Sequence, residues 1–143
     1  MDDSGRAPWI RNAILAGVLY VAAGLLLPLL AGASVQMLRF WRWSAFVVSG
    51  VVLAAHVAHE HFRLHNSTRT TAWHAAVGAA LGGFGFALAG NIHELGLASG
   101  YRPKMLIALV TWPLLTGVPA FLVALVIAAL LTMRRNSASS KAL

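Results

Sequence analysis

The sequence contains no cysteine in its 143 residues. This absence excludes disulfide bonds, thiolate metal sites and thiol-based catalysis, and it leaves the redox compartment undetermined. Charged residues are scarce as well: Asp, Glu, Lys and Arg make up 10% of the chain, whereas hydrophobic residues make up 59%. So few charges cannot cover the surface of a water-soluble protein of this size. The composition therefore predicts a membrane protein.

Acidic residues are fewer than basic ones, four against eleven, which gives a formal net charge of +7. A nucleic-acid-binding protein groups its basic residues on one face, whereas here they stand singly or in short groups at the ends of apolar runs. This placement is typical of residues that fix membrane topology. The sequence therefore predicts a lipid bilayer as the surrounding medium and no nucleic-acid partner.

Four apolar segments are long enough to cross a bilayer. They cover residues 10–33, 44–62, 72–95 and 105–133, and a polar tail of residues 134–143 follows. The first segment exceeds the apolar core of a secretory signal, about 7 to 15 residues, so we expect an uncleaved helix. The pattern predicts one all-α domain, a polytopic four-transmembrane-helix bundle with up-down-up-down topology.

Proline, aromatic and hydroxyl residues mark the ends of these segments. Pro28 is expected to bend or end the first helix. Alternating Trp and Arg at residues 41–43 is typical of a headgroup boundary and indicates a connection between helices. Thr70 or Thr71 is expected to cap the third helix. The polar tail after residue 133 is predicted to be disordered.

The third segment carries small residues at every fourth position. Stripes of this kind let helix backbones approach closely, so we expect the third helix to lie at the centre of the packing. The same faces are predicted to bind a membrane-protein partner or a second copy of the chain. The residues of the main stripe are Ala75, Ala79, Gly83, Ala87 and Asn91, with Gly78 and Gly82 beside it.

The distribution of Lys and Arg between the two sides of the predicted bundle sets its orientation. Seven basic residues fall on the side of the termini and four on the other side. This excess predicts that both termini are cytoplasmic, and the Arg-, Ala- and Gly-rich composition favours a bacterial inner membrane. The seven are Arg6, Arg11, Arg63, Arg69, Arg134, Arg135 and Lys141, and the four are Arg39, Arg42, Arg102 and Lys104.

Most of the histidines lie between residues 56 and 74, where the second and third segments meet. With 100° per residue, His56, His59 and Glu60 fall on one side of a helix, and an antiparallel hairpin brings His74 back to their depth. By the same phase, His61 and His65 are predicted to face the lipid headgroups. At the other membrane face, His93 and Glu94 are expected to pair with Arg39 or Arg42.

Imidazole and carboxylate groups suit zinc, iron, copper or nickel, so His56, His59, Glu60 and His74 form a candidate metal site. His56 or His59 together with His74 are candidate axial ligands of a b-type haem held between facing helices. The spacing His-x-x-His-Glu differs from the His-Glu-x-x-His pattern of zinc proteases. Proton transfer by His56 and Glu60, or a hydrogen-bonding role without chemistry, are further alternatives.

Two function hypotheses follow from these patterns. The preferred hypothesis is a non-catalytic accessory or partner-binding membrane subunit. The alternative is a membrane redox component or enzyme that binds a metal or haem b through the histidine cluster at the cytoplasmic face.

Overall fold

The computed structural model describes residues 7–30, 32, 34–96 and 105–140, with side chains from residue 9 to residue 134 within those ranges. Four helices make up nearly all of this part of the chain, and it contains no strand. All four are long and apolar enough to cross a membrane, by length and composition. The prediction of an all-α fold with four such helices is confirmed. The helices are α1 (Ala7–Leu29), α2 (Val35–Phe62), α3 (Thr68–Leu95) and α4 (Met105–Ser140).

The connection between α1 and α2 is shorter than the sequence predicts. α1 ends at Leu29, directly after Pro28, and does not continue to residue 33. α2 begins at Val35 because the Ser34 hydroxyl caps it, accepting a hydrogen bond from the Met37 amide at 3.3 Å. The prediction that residues 41–43 form a connection is therefore wrong. Trp and Arg are compatible with a helix, and no glycine or proline interrupts residues 35–49.

The ends of α3 and α4 also differ from the predictions. Ser67 caps α3, its hydroxyl accepting from the Thr70 amide at 3.2 Å, so the predicted cap at Thr70 or Thr71 is wrong. α4 continues as a helix to Ser140, so the predicted disorder does not apply to residues 134–140. Residues 141–143 of the predicted tail lie outside the described residues. The extra helical turns contain no glycine or proline that would end them.

α3 packs directly against α1. A Cβ atom added to Gly78 would lie 3.3 Å from the Ala13 carbonyl oxygen, and Gly82 is covered by Tyr20. Because residue numbers rise together along both helices, α1 and α3 run in the same direction. The glycines allow this close approach, since any larger residue would separate the two backbones.

α3 packs even more extensively against α4, which runs in the opposite direction. Near the middle of this interface, the Thr116 hydroxyl donates to the Ala79 carbonyl oxygen at 3.0 Å. Near one end, the Asn91 side-chain amide donates to the Met105 carbonyl oxygen at 2.9 Å. Hydrogen bonds from side chains to a neighbouring backbone are typical of closely packed helices in apolar surroundings. The predicted central position of the third helix is confirmed.

The interior of the described bundle is built from small residues. Every buried apolar side chain among the described residues is an alanine except Val57. Large apolar side chains instead cover the outside of all four helices, such as Leu26, Phe46, Leu88 and Val126. This distribution reverses that of a water-soluble protein, in which large apolar side chains fill the core.

α2 packs most extensively against α1, and its buried residues all lie in its last two turns. Its buried residues are His56, Val57, Glu60 and His61, and no side chain from Val35 to residue 55 is buried. Val57 packs in a cluster with alanines of α3 and α4. The histidine-rich end of α2 is therefore the part that the bundle encloses.

Candidate functional site

Glu60 is the centre of a polar cluster at the junction of α2 and α3. Its side chain is fully buried. One carboxyl oxygen, Oε2, accepts a hydrogen bond from the Asn66 side-chain amide and contacts His74 Nδ1 at 2.9 Å. A buried carboxyl group needs such partners because it has lost its contacts with water. The two bonds connect the end of α2 to the turn and to the start of α3.

The turn after α2 brings Asn66 back to Glu60. The Asn66 backbone amide donates to the Glu60 carbonyl oxygen, so both the backbone and the side chain of Asn66 bond to the same residue. His65, just before it, adopts a left-handed backbone conformation with φ of 52°. This conformation reverses the chain within five residues, and Ser67 then starts α3.

His74 also links α1 to the cluster. Its imidazole ring stacks on the Trp9 indole with 4.4 Å between ring centroids and 7° between planes. Trp9 lies in the first turn of α1, and because α1 and α3 are parallel, their starts meet. Glu60, Asn66, His74 and Trp9 thus join three helices at one end of the bundle. We call these four residues the Glu60 network.

Four side chains next to this network hold buried polar atoms that have no hydrogen-bond partner among the described residues. The side chains of His56, Glu60, His61 and Thr71 are all more than nine-tenths buried. The atoms are His56 Nε2, Glu60 Oε1, both ring nitrogens of His61 and Thr71 Oγ1. Unpartnered buried atoms are uncommon in folded proteins and require an explanation.

The predicted inner group of histidines is right in part. His56 and Glu60 are buried, and His74 does return to the depth of Glu60. His59, however, is exposed and His61 is buried, the reverse of the prediction. Viewed along the axis of α2, the buried face is centred between Glu60 and Val57. His56 lies at one edge of this face, and His59 lies beyond that edge. Helical phase predicts the angles between these residues, but it does not predict which side of α2 a neighbouring helix covers.

The predicted metal ligands do not converge in the structure. Within the described ranges, no group of three or more His, Asp or Glu side chains is arranged to hold a metal ion. Of the four predicted ligands, His59 is exposed, and His74 is engaged by Glu60 and Trp9. His65, predicted to face outward, is exposed.

The residues near His56 and His74 do not fit a haem. A haem between helices needs space, which only small residues such as Ala75, Gly78 and Ala79 could leave beside His74. The backbone of α1 fills the space at Gly78, where an added Cβ would contact Ala13. α4 approaches Ala79 closely enough to form a hydrogen bond with its carbonyl oxygen. The small residues therefore serve direct helix contact.

At the opposite end of the bundle, His93 lines an open cleft of about 420 Å³ between α1, α3 and α4, together with Trp112. The predicted pairing of this end is wrong for the described residues, because Glu94 forms no ion pair with Arg39 or Arg42 there. α2 starts nine residues earlier than predicted, so Arg39 and Arg42 lie within the helix.

Sequence reasoning missed Trp9 and Asn66 as members of the cluster. In the sequence, Trp9 indicates only an aromatic residue near a membrane boundary. Its contact with His74 cannot be predicted, because that contact depends on the parallel packing of α1 and α3. A signal for Asn66 did exist. Asparagine is frequent in turns, where its side chain bonds to nearby groups, and Asn66 stands six residues after the only acid of this region.

Comparison with protein-family models, with curated protein sequences and with solved structures finds no match to this chain. The function therefore has to be argued from the geometry.

Proposed function

We propose that the protein is a multi-pass membrane protein with a non-catalytic role, an accessory or partner-binding subunit. The observation that carries the membrane assignment is the reversed core, with alanine and glycine inside and large apolar side chains outside. In water this surface would drive aggregation, whereas in lipid it is the favourable arrangement. The four helices then cross the bilayer in up-down-up-down order.

The Glu60 network supports the non-catalytic part of this proposal. The Glu60 carboxyl oxygen contacts the His74 imidazole, and the Trp9 ring covers one face of that imidazole. These contacts connect three helices, which is a structural role. The network then holds α1, α2 and α3 together at the end that we propose faces the cytoplasm of a bacterial cell.

Within this proposal, α2 is the surface for a partner helix. The small-residue faces of α3 already contact α1 and α4, so they are occupied within the chain. In contrast, a Cβ atom added to Gly50 of α2 would meet nothing within 4 Å. Ala54, one turn later, is exposed too, so a partner backbone can approach closely along this stretch.

Cysteine cross-linking in membranes tests the partner surface, and the chain offers a cysteine-free background. The variant Gly50→Cys, labelled with a cross-linker that carries one maleimide and one photoreactive group, should give a cross-linked species heavier than the single chain. The matched control is Val126→Cys, at an exposed position on α4. Equal cross-linking of both variants, or of neither, would contradict a partner surface on α2.

Metal analysis and an absorption spectrum of the purified protein test the non-catalytic role. The proposal expects no stoichiometric transition metal and no Soret band. A metal or haem that is lost in His56→Ala but retained in His65→Ala would overturn it in favour of the redox alternative.

A further inference from the structure

The residues that hold the buried polar atoms beside the Glu60 network are near neighbours along α2 and α3. His56 stands one helical turn before Glu60 on α2, and His61 directly follows Glu60. Thr71 lies on α3 about one turn before His74, which bonds to Glu60. We call the region lined by His56, Glu60, His61 and Thr71 the polar pocket.

α3 and α4 pack against α2 between His56 and Glu60. Val57, between His56 and Glu60 in sequence, packs against Ala72 of α3 and Ala124 of α4. These small apolar residues offer no hydrogen-bonding side chain. Partners for the pocket therefore have to come from the protein itself or from a small molecule inside it.

The protein supplies only part of these partners. Glu60 Oε2 is bonded to Asn66 and His74, but among the described residues Glu60 Oε1 has no donor and neither ring nitrogen of His61 has a partner. A buried polar atom without a partner loses its hydration and gains nothing in return, so several such atoms together would strongly destabilise the fold. The unpartnered atoms therefore point to a bound ligand.

We propose that the polar pocket binds water molecules, hydrogen-bonded to His56, Glu60, His61 and Thr71. Water matches this set because it both donates and accepts: the carboxyl oxygen needs a donor, and a neutral imidazole presents one donor and one acceptor. Buried water molecules in proteins bond to two to four such groups. A metal ion matches less well, since no three ligands are arranged around one point in the described residues. This inference rests on side-chain burial and is independent of the partner surface on α2.

The variant Thr71→Val tests the pocket because it removes a hydroxyl at nearly constant volume. If water is bound, the variant loses one of its hydrogen bonds, and the thermal unfolding midpoint in detergent falls. If Thr71 Oγ1 has no partner, removing a buried unsatisfied group leaves the midpoint unchanged or raises it. The control is Thr132→Val, whose hydroxyl bonds at 2.9 Å to a carbonyl oxygen of its own helix. The shift for Thr71→Val should exceed that of the control.

Water-edited solid-state NMR of ¹⁵N-histidine protein in bilayers gives the direct readout. Magnetisation from water should reach the buried His61 ring nitrogens about as fast as those of the exposed His59. Transfer to His61 as slow as transfer to the amide of buried Ala124 would overturn the proposal. Addition of Zn²⁺ identifies the competing ligand: a rise of the unfolding midpoint that is lost in His61→Phe would show a metal site in place of water.

Discussion

Glu60 shows how one acidic residue can be accommodated inside an apolar bundle. A carboxyl group removed from water is stable only where hydrogen-bond donors replace its hydration. Asn66 supplies one donor and His74 lies at hydrogen-bond distance from the same oxygen. Both are in the turn or in the first turns of α3, so Glu60 determines how α2 and α3 meet.

Asn66 is expected to be the most sensitive residue of the turn. Asn66→Ala should destabilise the fold by about 1 to 3 kcal/mol, because a buried carboxyl oxygen loses a donor. Asn66→Asp should destabilise it more, since two carboxyl groups would then share one buried site. Thermal unfolding in detergent measures both. Gln36→Glu, at an exposed position, is the control and should have little effect. Equal midpoints for Asn66→Ala and the wild type would contradict the network.

His65 carries a backbone constraint rather than a chemical role. Its φ of 52° lies in the left-handed region, which is unfavourable for residues other than glycine by about 1 kcal/mol. His65→Gly should therefore raise the unfolding midpoint slightly. The control is Arg63→Gly at a φ of −95°, where glycine only adds flexibility to the unfolded chain and should lower the midpoint. A lower midpoint for His65→Gly would indicate that the imidazole itself stabilises the turn.

At the scale of the helices, α3 organises the packing through residues that lack side chains. Its glycines meet α1 on one side and α4 on the other, and its alanines fill the space between them. Large residues on both partners then point outward. Because contact in lipid depends on close packing and hydrogen bonds, the small residues of α3 stabilise the bundle more than a larger apolar side chain could.

Two glycines of α3 should respond oppositely to the same substitution. An added Cβ on Gly83 would lie 2.8 Å from the Trp112 carbonyl oxygen, so Gly83→Ala should separate α3 from α4 and lower the unfolding midpoint. In the part of the chain that the structure describes, no atom lies within 4 Å of that position at Gly90, so Gly90→Ala should stabilise the helix by up to about 1 kcal/mol. Shifts of the same sign for both variants would contradict the interface.

For the whole molecule, orientation depends on the basic residues at the two ends. Arg63 and Arg69 flank the turn between α2 and α3, and Arg39 and Arg42 lie near the start of α2. Some of the basic residues counted for the orientation lie outside the described residues. They are Arg6, Arg102, Lys104 and Lys141, together with the side chain of Arg135. The proposed orientation therefore rests on the sequence.

Sidedness of labelling tests this orientation, again in a cysteine-free chain. Thr68→Cys, at the start of α3, should react with a membrane-impermeant maleimide only after the cells are opened. Gln36→Cys, at the start of α2, should react in intact cells. The reverse pattern would place the termini outside, and reaction of both positions in intact cells would contradict four spans.

The sequence by itself determined the number and type of the helices. Long apolar runs leave no other way to satisfy backbone hydrogen bonds in lipid, and small residues every four positions mark α3 as the central helix. It also determined that His74 returns to the depth of Glu60, since a hairpin with a short turn fixes that distance along the axis. The sequence determined the ends of the helices less well. The cap at Ser34 places the start of α2 at Val35, nine residues before the predicted start.

Only the tertiary structure decided which histidines are inside. Helical phase fixes the angle between His56, Glu60 and His61, but the absolute rotation of α2 depends on which side meets the alanines of α3 and α4. That rotation buried His61, exposed His59 and placed Glu60 where it contacts Asn66 and His74. The contact of Trp9 with His74 likewise required the parallel packing of two helices that are far apart in sequence.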